Sequence, residues 1–181
     1  MKKIPLGTTD ITLSRMGLGT WAIGGGPAWN GDLDQQICID TILEAHRCGI
    51  NLIDTAPGYN FGNSEVIVGQ ALKKLPREQV VVETKCGIVW ERKGSLFNKV
   101  GDRQLYKNLS PESIREEVEA SLQRLGIDYI DIYMTHWQSV PPFFTPIAET
   151  VAVLNELKAE GKIRAIGAAN VDADHIREYL Q

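Results

Sequence analysis

Five times along this chain a short apolar run gives way to a longer amphipathic one. The apolar runs are "RMGLGT", "INLID", "QVVVETK", "YIDIYMTHW" and "IRAIGAAN". The stretches after them place apolar residues at helical spacing, as in Ile114, Val118, Leu122 and Leu125. Helix boundaries are punctuated as expected. Ser64, Ser110, Thr145 and Asp172 stand where N-caps belong, Pro111 and Pro146 at N1, and Gly49, Gly126 and Gly161 as stops. Strict strand–helix alternation requires parallel strands joined by crossover helices, an α/β fold. Before the first unit, "KKIPLGTTDITLSRMG" reads as a hairpin around Gly7-Thr8-Thr9-Asp10. Two architectures satisfy this order: an open doubly wound sheet, or a (β/α)8 (TIM) barrel cut short. A full barrel takes about 250 residues, and 181 supply the hairpin and about five of its eight units.

The bulk numbers exclude some functions. A formal charge of −4 argues against nucleic-acid binding, which needs a basic face. No run is long enough to span a bilayer, and "MKKIPLGTTD" lacks the apolar stretch of a secretory signal. Cys38, Cys48 and Cys86 form no CxxC pair, so they read as free thiols in a reducing cytoplasm. With no linker or repeat, residues 1–181 read as one domain. The segment 86–109 reads as a long loop, functional or mobile.

In both architectures the working face lies beyond the carboxyl ends of the strands. There the apolar runs stop at ionisable groups: Asp54, Lys85 and His136 end the second, third and fourth strands. Tyr59 follows the Pro57-Gly58 turn. Singly, each has a bland reading: a turn-forming acid, a solvated lysine, a structural histidine, a loop aromatic. Jointly they gain weight, because neighbouring strands lie about 4.8 Å apart. An ammonium beside a phenol stabilises the phenolate and lowers its pKa, while an acid beside the ammonium fixes it and softens its field. A histidine next to both can orient a carbonyl oxygen. The set describes carbonyl reduction, with Tyr59 as the acid.

Asp54, Tyr59 five residues on, then Lys85 and His136 at the next two strand ends form a joint pattern that resembles the aldo-keto reductases. "LGTW" (18–21), "LIDTAPGY" (52–59), "RLGIDYIDIYMTHW" (124–137) and "GKIRAIGAAN" (161–170) have family counterparts in the same order, so the resemblance covers essentially the whole chain. Within the family the chain is most similar to bacterial NADH-dependent reductases of methylglyoxal-like oxoaldehydes. The resemblance implies a barrel whose bottom is plugged by the hairpin, NADH or NADPH as cofactor, a small carbonyl substrate and no metal. It implies that Gly19, Thr20, Trp21 and Asp54 line the nicotinamide end and that Asn170 contacts the carboxamide. One departure is Ala169, where the family has serine. The resemblance further implies a domain truncated at its C-terminus, lacking three strands and much of the cofactor site. Such a chain is expected to expose its inner apolar face, to self-associate through open barrel edges, and to be weak or inactive alone. The alternatives are a non-functional fragment, a cofactor-sensing or assembly subunit without turnover, and a Schiff-base aldolase through Lys85.

Gly17 to Ala22 fits G-x-G-x-x-G/A, the dinucleotide fingerprint. No helix opens there, since Gly24, Gly25, Gly26 and Pro27 follow, and Asp40 falls within a helix. The Rossmann reading fails on context. Trp21, Trp29, Trp90 and Trp137 all fall on the same rim and are expected to wall a substrate pocket.

Overall fold

The computed structural model describes residues 1–31, 33–90 and 92–181. A hairpin of β1 (Lys3–Pro5) and β2 (Thr12–Ser14) comes first. Then follow β3 (Gly17–Gly19), α1 (Gln35–Arg47), β4 (Leu52–Asp54), α2 (Asn63–Leu72) and β5 (Val81–Cys86). Three further strands, β6 (Ile88–Val89), β7 (Ser95–Val100) and β8 (Arg103–Lys107), precede α3 (Pro111–Leu125). The chain continues through β9 (Ile130–Thr135), α4 (Ile147–Ala159), β10 (Ile163–Ala168) and α5 (Ala173–Tyr179). The main sheet is parallel, in the order β10-β9-β5-β4-β3. Its five strands are each followed by a helix, so the fold is a partial (β/α)8 barrel.

Period-two alternation on β5 explains the two layers of the core. Val82 and Cys86 face the helices and join Ile42, Val68, Ile114, Val118, Leu154 and Leu157 in the larger cluster. Val81 faces inward, with Ile132, Ala165 and Ile11. Ile11, from the turn of the hairpin, is 2% exposed and plugs the floor of the sheet. The expected exposure of the inner apolar face is thereby corrected at this end: the hairpin lays Leu6, Ile11 and Leu13 across it. A polar clasp holds the plug. Arg164 pairs with both Asp131 (2.5 Å) and Asp10 of the hairpin (3.1 Å), and Arg77 reaches Asp131 at 2.7 Å.

The helix termini agree with the sequence reading at α1, α3 and α5. The Ser110 hydroxyl accepts from Ser113 N, and Asp172 and His175 form a capping box. Two expected caps are corrected. Helix α2 starts after Gly62, and Ser64 is turned into the core; α4 starts after Pro146, and Thr145 N instead donates to the Ser139 hydroxyl at 3.0 Å. The expected long loop is corrected as well. Ile88–Val89, Ser95–Val100 and Arg103–Lys107 form an antiparallel sheet in the order β6-β8-β7, with β7 and β8 joined by a turn at Gly101-Asp102, where Gly101 has φ 61°. The Ser95 hydroxyl joins Val140 O and accepts from Phe143 N (3.1 Å), tying this sheet to the segment after β9.

Candidate active site

Three of the expected four come from the ends of three neighbouring strands, and Tyr59 from the turn after the first of them. Asp54 closes β4, Lys85 is the penultimate residue of β5, and His136 directly follows β9, its backbone N donating to Cys86 O at 2.9 Å. Tyr59 arrives through a tight turn in which its own N donates to Ala56 O and Gly62 N to Pro57 O. Lys85 is 5% exposed and the three protons of its ammonium meet three acceptors: Asp54 Oδ1, Thr55 O at 2.9 Å and Tyr59 Oη at 3.3 Å. The Tyr59 and His136 rings meet edge to face with centroids 5.7 Å apart. Four chemically distinct groups thus share one corner of the sheet.

Electrostatics assigns them protonation states. Burial pulls the Lys85 pKa down, but Asp54 and the Tyr59 oxygen outweigh it, and the net shift is upward. The amine stays charged, which disfavours its use as a Schiff-base nucleophile. For Tyr59 the expected lowering is corrected: burial raises the phenol pKa and outweighs the pull of Lys85, with Asp54 adding to the rise. The phenol holds its proton at rest, as a donor must. Burial, then Lys85, lowers His136 to about 4, so its imidazole is neutral near pH 7. Its Nδ1 is buried without a hydrogen-bond partner among the described residues.

Tyr59 and His136 open into a cavity of about 390 Å³ lined also by Trp21, Asn60, Phe61, Ile88, Phe97, Asn98, Leu105, Trp137 and Asn170, among others. Trp21 lies tilted over Tyr59 with centroids 6.2 Å apart. Not every expected residue lines it. Trp29 sits one layer back, its ring edge-on to Trp21 at 5.2 Å. Trp90 does not line this cavity; its ring meets Phe61 edge-on at 5.7 Å, and it lines a separate pocket with Arg92 and Arg124. Thr20 is fully buried; its hydroxyl donates to Asp54 O at 2.9 Å and meets Ser64 Oγ at 2.8 Å, so it braces the site from behind. Gly19 pairs in register with Asp54 at the exposed strand end. Asn170, at φ 54°, lines the rim and donates to His136 O at 2.6 Å.

Comparison with known proteins decides the lineage of this arrangement. The profile of the Aldo/keto reductase family matches residues 15–181. The chain belongs to the aldo/keto reductase family. It is 98% identical over 181 residues to the NADH-specific methylglyoxal reductase of Escherichia coli (strain K12), covering all of this chain and 56% of that protein. It is 45% identical over 180 residues to the aldo-keto reductase YhdN of Bacillus subtilis (strain 168), covering 99% of this chain and 50% of that one. The solved structure of glycerol dehydrogenase AKR11B4 from Gluconobacter oxydans matches with a TM-score of 0.81 at 38% identity, over 98% of this chain and 51% of that chain. An aldo-keto reductase from Klebsiella pneumoniae, solved in complex with NADPH, matches at 0.72 and 30% identity, over 93% and 50%. The chain therefore spans about half the length of the curated relatives it matches.

Aldo/keto reductases imply a nicotinamide cofactor, and the cavity fits its ring end. Aromatic rings, among them Trp21, Tyr59 and Trp137, line it together with His136, and its volume is that of a small-ligand pocket. No Lys or Arg among the described residues lines the cavity, so the fit extends to the nicotinamide and not to its phosphates. Sequence reasoning missed two parts of this aldo/keto reductase site. One is the brace of Thr20, Ser64 and Thr55 hydroxyls. The other is the wall supplied by β7 and β8, for which "NKVGDRQL", two runs about a Gly-Asp pair, was the available signal.

Proposed function

We propose that this chain supplies the catalytic centre of an NADH-dependent reductase of small aldehydes and ketones, with methylglyoxal-like 2-oxoaldehydes as its substrates. The observation that carries the reading is the Tyr59 hydroxyl within 3.3 Å of a buried Lys85 ammonium that is itself clamped by Asp54. When bound, the nicotinamide supplies the hydride. The neutral His136 imidazole orients the carbonyl oxygen over the Tyr59 hydroxyl. Tyr59 donates its proton to that oxygen, and Lys85 stabilises the negative charge left on the phenolic oxygen. Asp54 and Thr55 O fix the direction of Lys85. NADH and a 2-oxoaldehyde are inferred from the Escherichia coli relative, which is described by that cofactor and that substrate.

The test is oxidation of NADH in the presence of methylglyoxal. Tyr59→Phe keeps the ring and removes the proton, so the rate falls by about 10²–10⁴-fold while NADH binding, followed by its fluorescence, persists. Full activity in Tyr59→Phe contradicts the assignment.

A further inference from the structure

The wall that β7 gives the cavity contains an irregularity that ordinary strand geometry does not produce. In a regular strand, consecutive side chains point to opposite faces. Yet Phe97 and Asn98, neighbours on β7, both line the cavity. The pairing explains it. Leu96 is opposite Tyr106, but Asn98 is opposite Leu105, so Phe97 is an extra residue and β7 bulges there. Bulges re-aim side chains and are frequent beside active sites. This one turns a large ring and a side-chain amide toward the same space, while Leu96 is left outside, exposed.

The bulged wall is held firmly. The Phe97 ring packs on Trp137 with centroids 5.6 Å apart, and the Lys107 ammonium caps both rings at 5.3 and 4.7 Å. Leu105, opposite Asn98, is 5% exposed and backs the bulge from β8. Asn98 is only half committed. Its Oδ1 accepts from Lys99 N at 2.8 Å, which fixes the amide plane and leaves the Nδ2 donors without a partner among the described residues. Phe97, Leu105, Ile88 and Trp137 make the rest of this wall apolar.

We propose that Asn98 is a specificity-determining residue: its Nδ2 hydrogen-bonds a second oxygen on the carbon beside the reacting carbonyl, and Phe97 limits the bulk carried there. The site thereby selects 2-oxoaldehydes and 2-hydroxycarbonyl compounds over plain aldehydes. This rests on the reductase reading above and adds to it the group that reads the substrate. Asn60 and Asn170 also line the cavity, but their Nδ2 groups already donate to Gly24 O and His136 O. Asn98 is exposed, and a bound substrate that covers its free Nδ2 from water must replace the lost hydrogen bond, which only the class with a second oxygen does.

The experiment compares kcat/KM for methylglyoxal and for propanal, which has the same carbon count and lacks the second oxygen. In Asn98→Ala the ratio of the two falls about tenfold, the worth of one hydrogen bond. In Phe97→Ala the rate with phenylglyoxal rises relative to methylglyoxal. A methylglyoxal-to-propanal ratio unchanged in Asn98→Ala overturns the proposal. Failure of the reductase reading looks different: neither substrate is turned over by the unsubstituted protein, or Tyr59→Phe leaves both rates intact.

Discussion

At the scale of single residues, two buried titratable groups answer pH in opposite senses. Glu117 accepts from Gly87 N at 2.8 Å and from the Ser113 hydroxyl at 3.0 Å, just behind the strand that carries Lys85. Burial raises its pKa from 4.5 to about 7, against the pull of those donors and of Arg92 and with the push of Glu65. A raised carboxyl pKa stabilises the fold fully below its unfolded value, and that stability is lost as pH rises through about 7. The loss is about 3 kcal/mol. Urea denaturation at pH 5 and pH 8 is expected to reveal this decline, and Glu117→Gln to flatten it. His136 behaves oppositely. Its pKa falls from 6.5 to about 4, so its share of stability is present above 6.5 and is lost as pH falls through about 4. The same shift predicts that kcat/KM has no inflection near the ordinary histidine value, because the imidazole is already neutral at pH 6. A histidine inflection near 6.5 in that profile contradicts its burial.

At the scale of elements, the hairpin and the β6–β8 sheet close the two ends of the same layer. Ile11 fills the floor, and Ile11→Ala removes most of a buried side chain from a cluster that has few other members. The expected cost is about 2–5 kcal/mol, read as a lower urea midpoint with the catalytic rate per folded molecule unchanged. What the sequence could and could not announce divides along similar lines. Asp54, Lys85 and His136 were legible because a strand end is defined by where an apolar run stops, which is a property of the sequence itself. The caps at Ser110 and Asp172 were legible for the same local reason. Thr20 and Ser64 were not. Their direction is set when α2 packs against the end of β3, and their hydroxyls then satisfy each other and Asp54 O instead of a ligand or a helix terminus. The bulge at Phe97 depends on register between two strands, which no periodicity within one strand records.

At the scale of the whole molecule, the parallel sheet ends in β3 on one side and β10 on the other. Outer strands offer unpaired backbone groups to other chains. The 181-residue polypeptide is accordingly expected to sediment as a concentration-dependent mixture of species; a single monomer boundary across concentrations contradicts this. The arrangement of its loops has a separate consequence. Arg103, on β8, stacks over the Phe61 ring with its guanidinium carbon 3.7 Å from the centroid, and Phe61 lies two residues beyond Tyr59. Phe61 is itself held in the left-handed region, at φ 53°, beside Asn60 at 50°. Strand β8 and the turn that carries Tyr59 therefore grip one another. A change in β7 or β8 that alters what the protein accepts is expected to disturb how fast it acts as well. Mutations that shift preference in this lineage should arise in company with compensating ones near Tyr59, so that the two regions drift together or hardly at all.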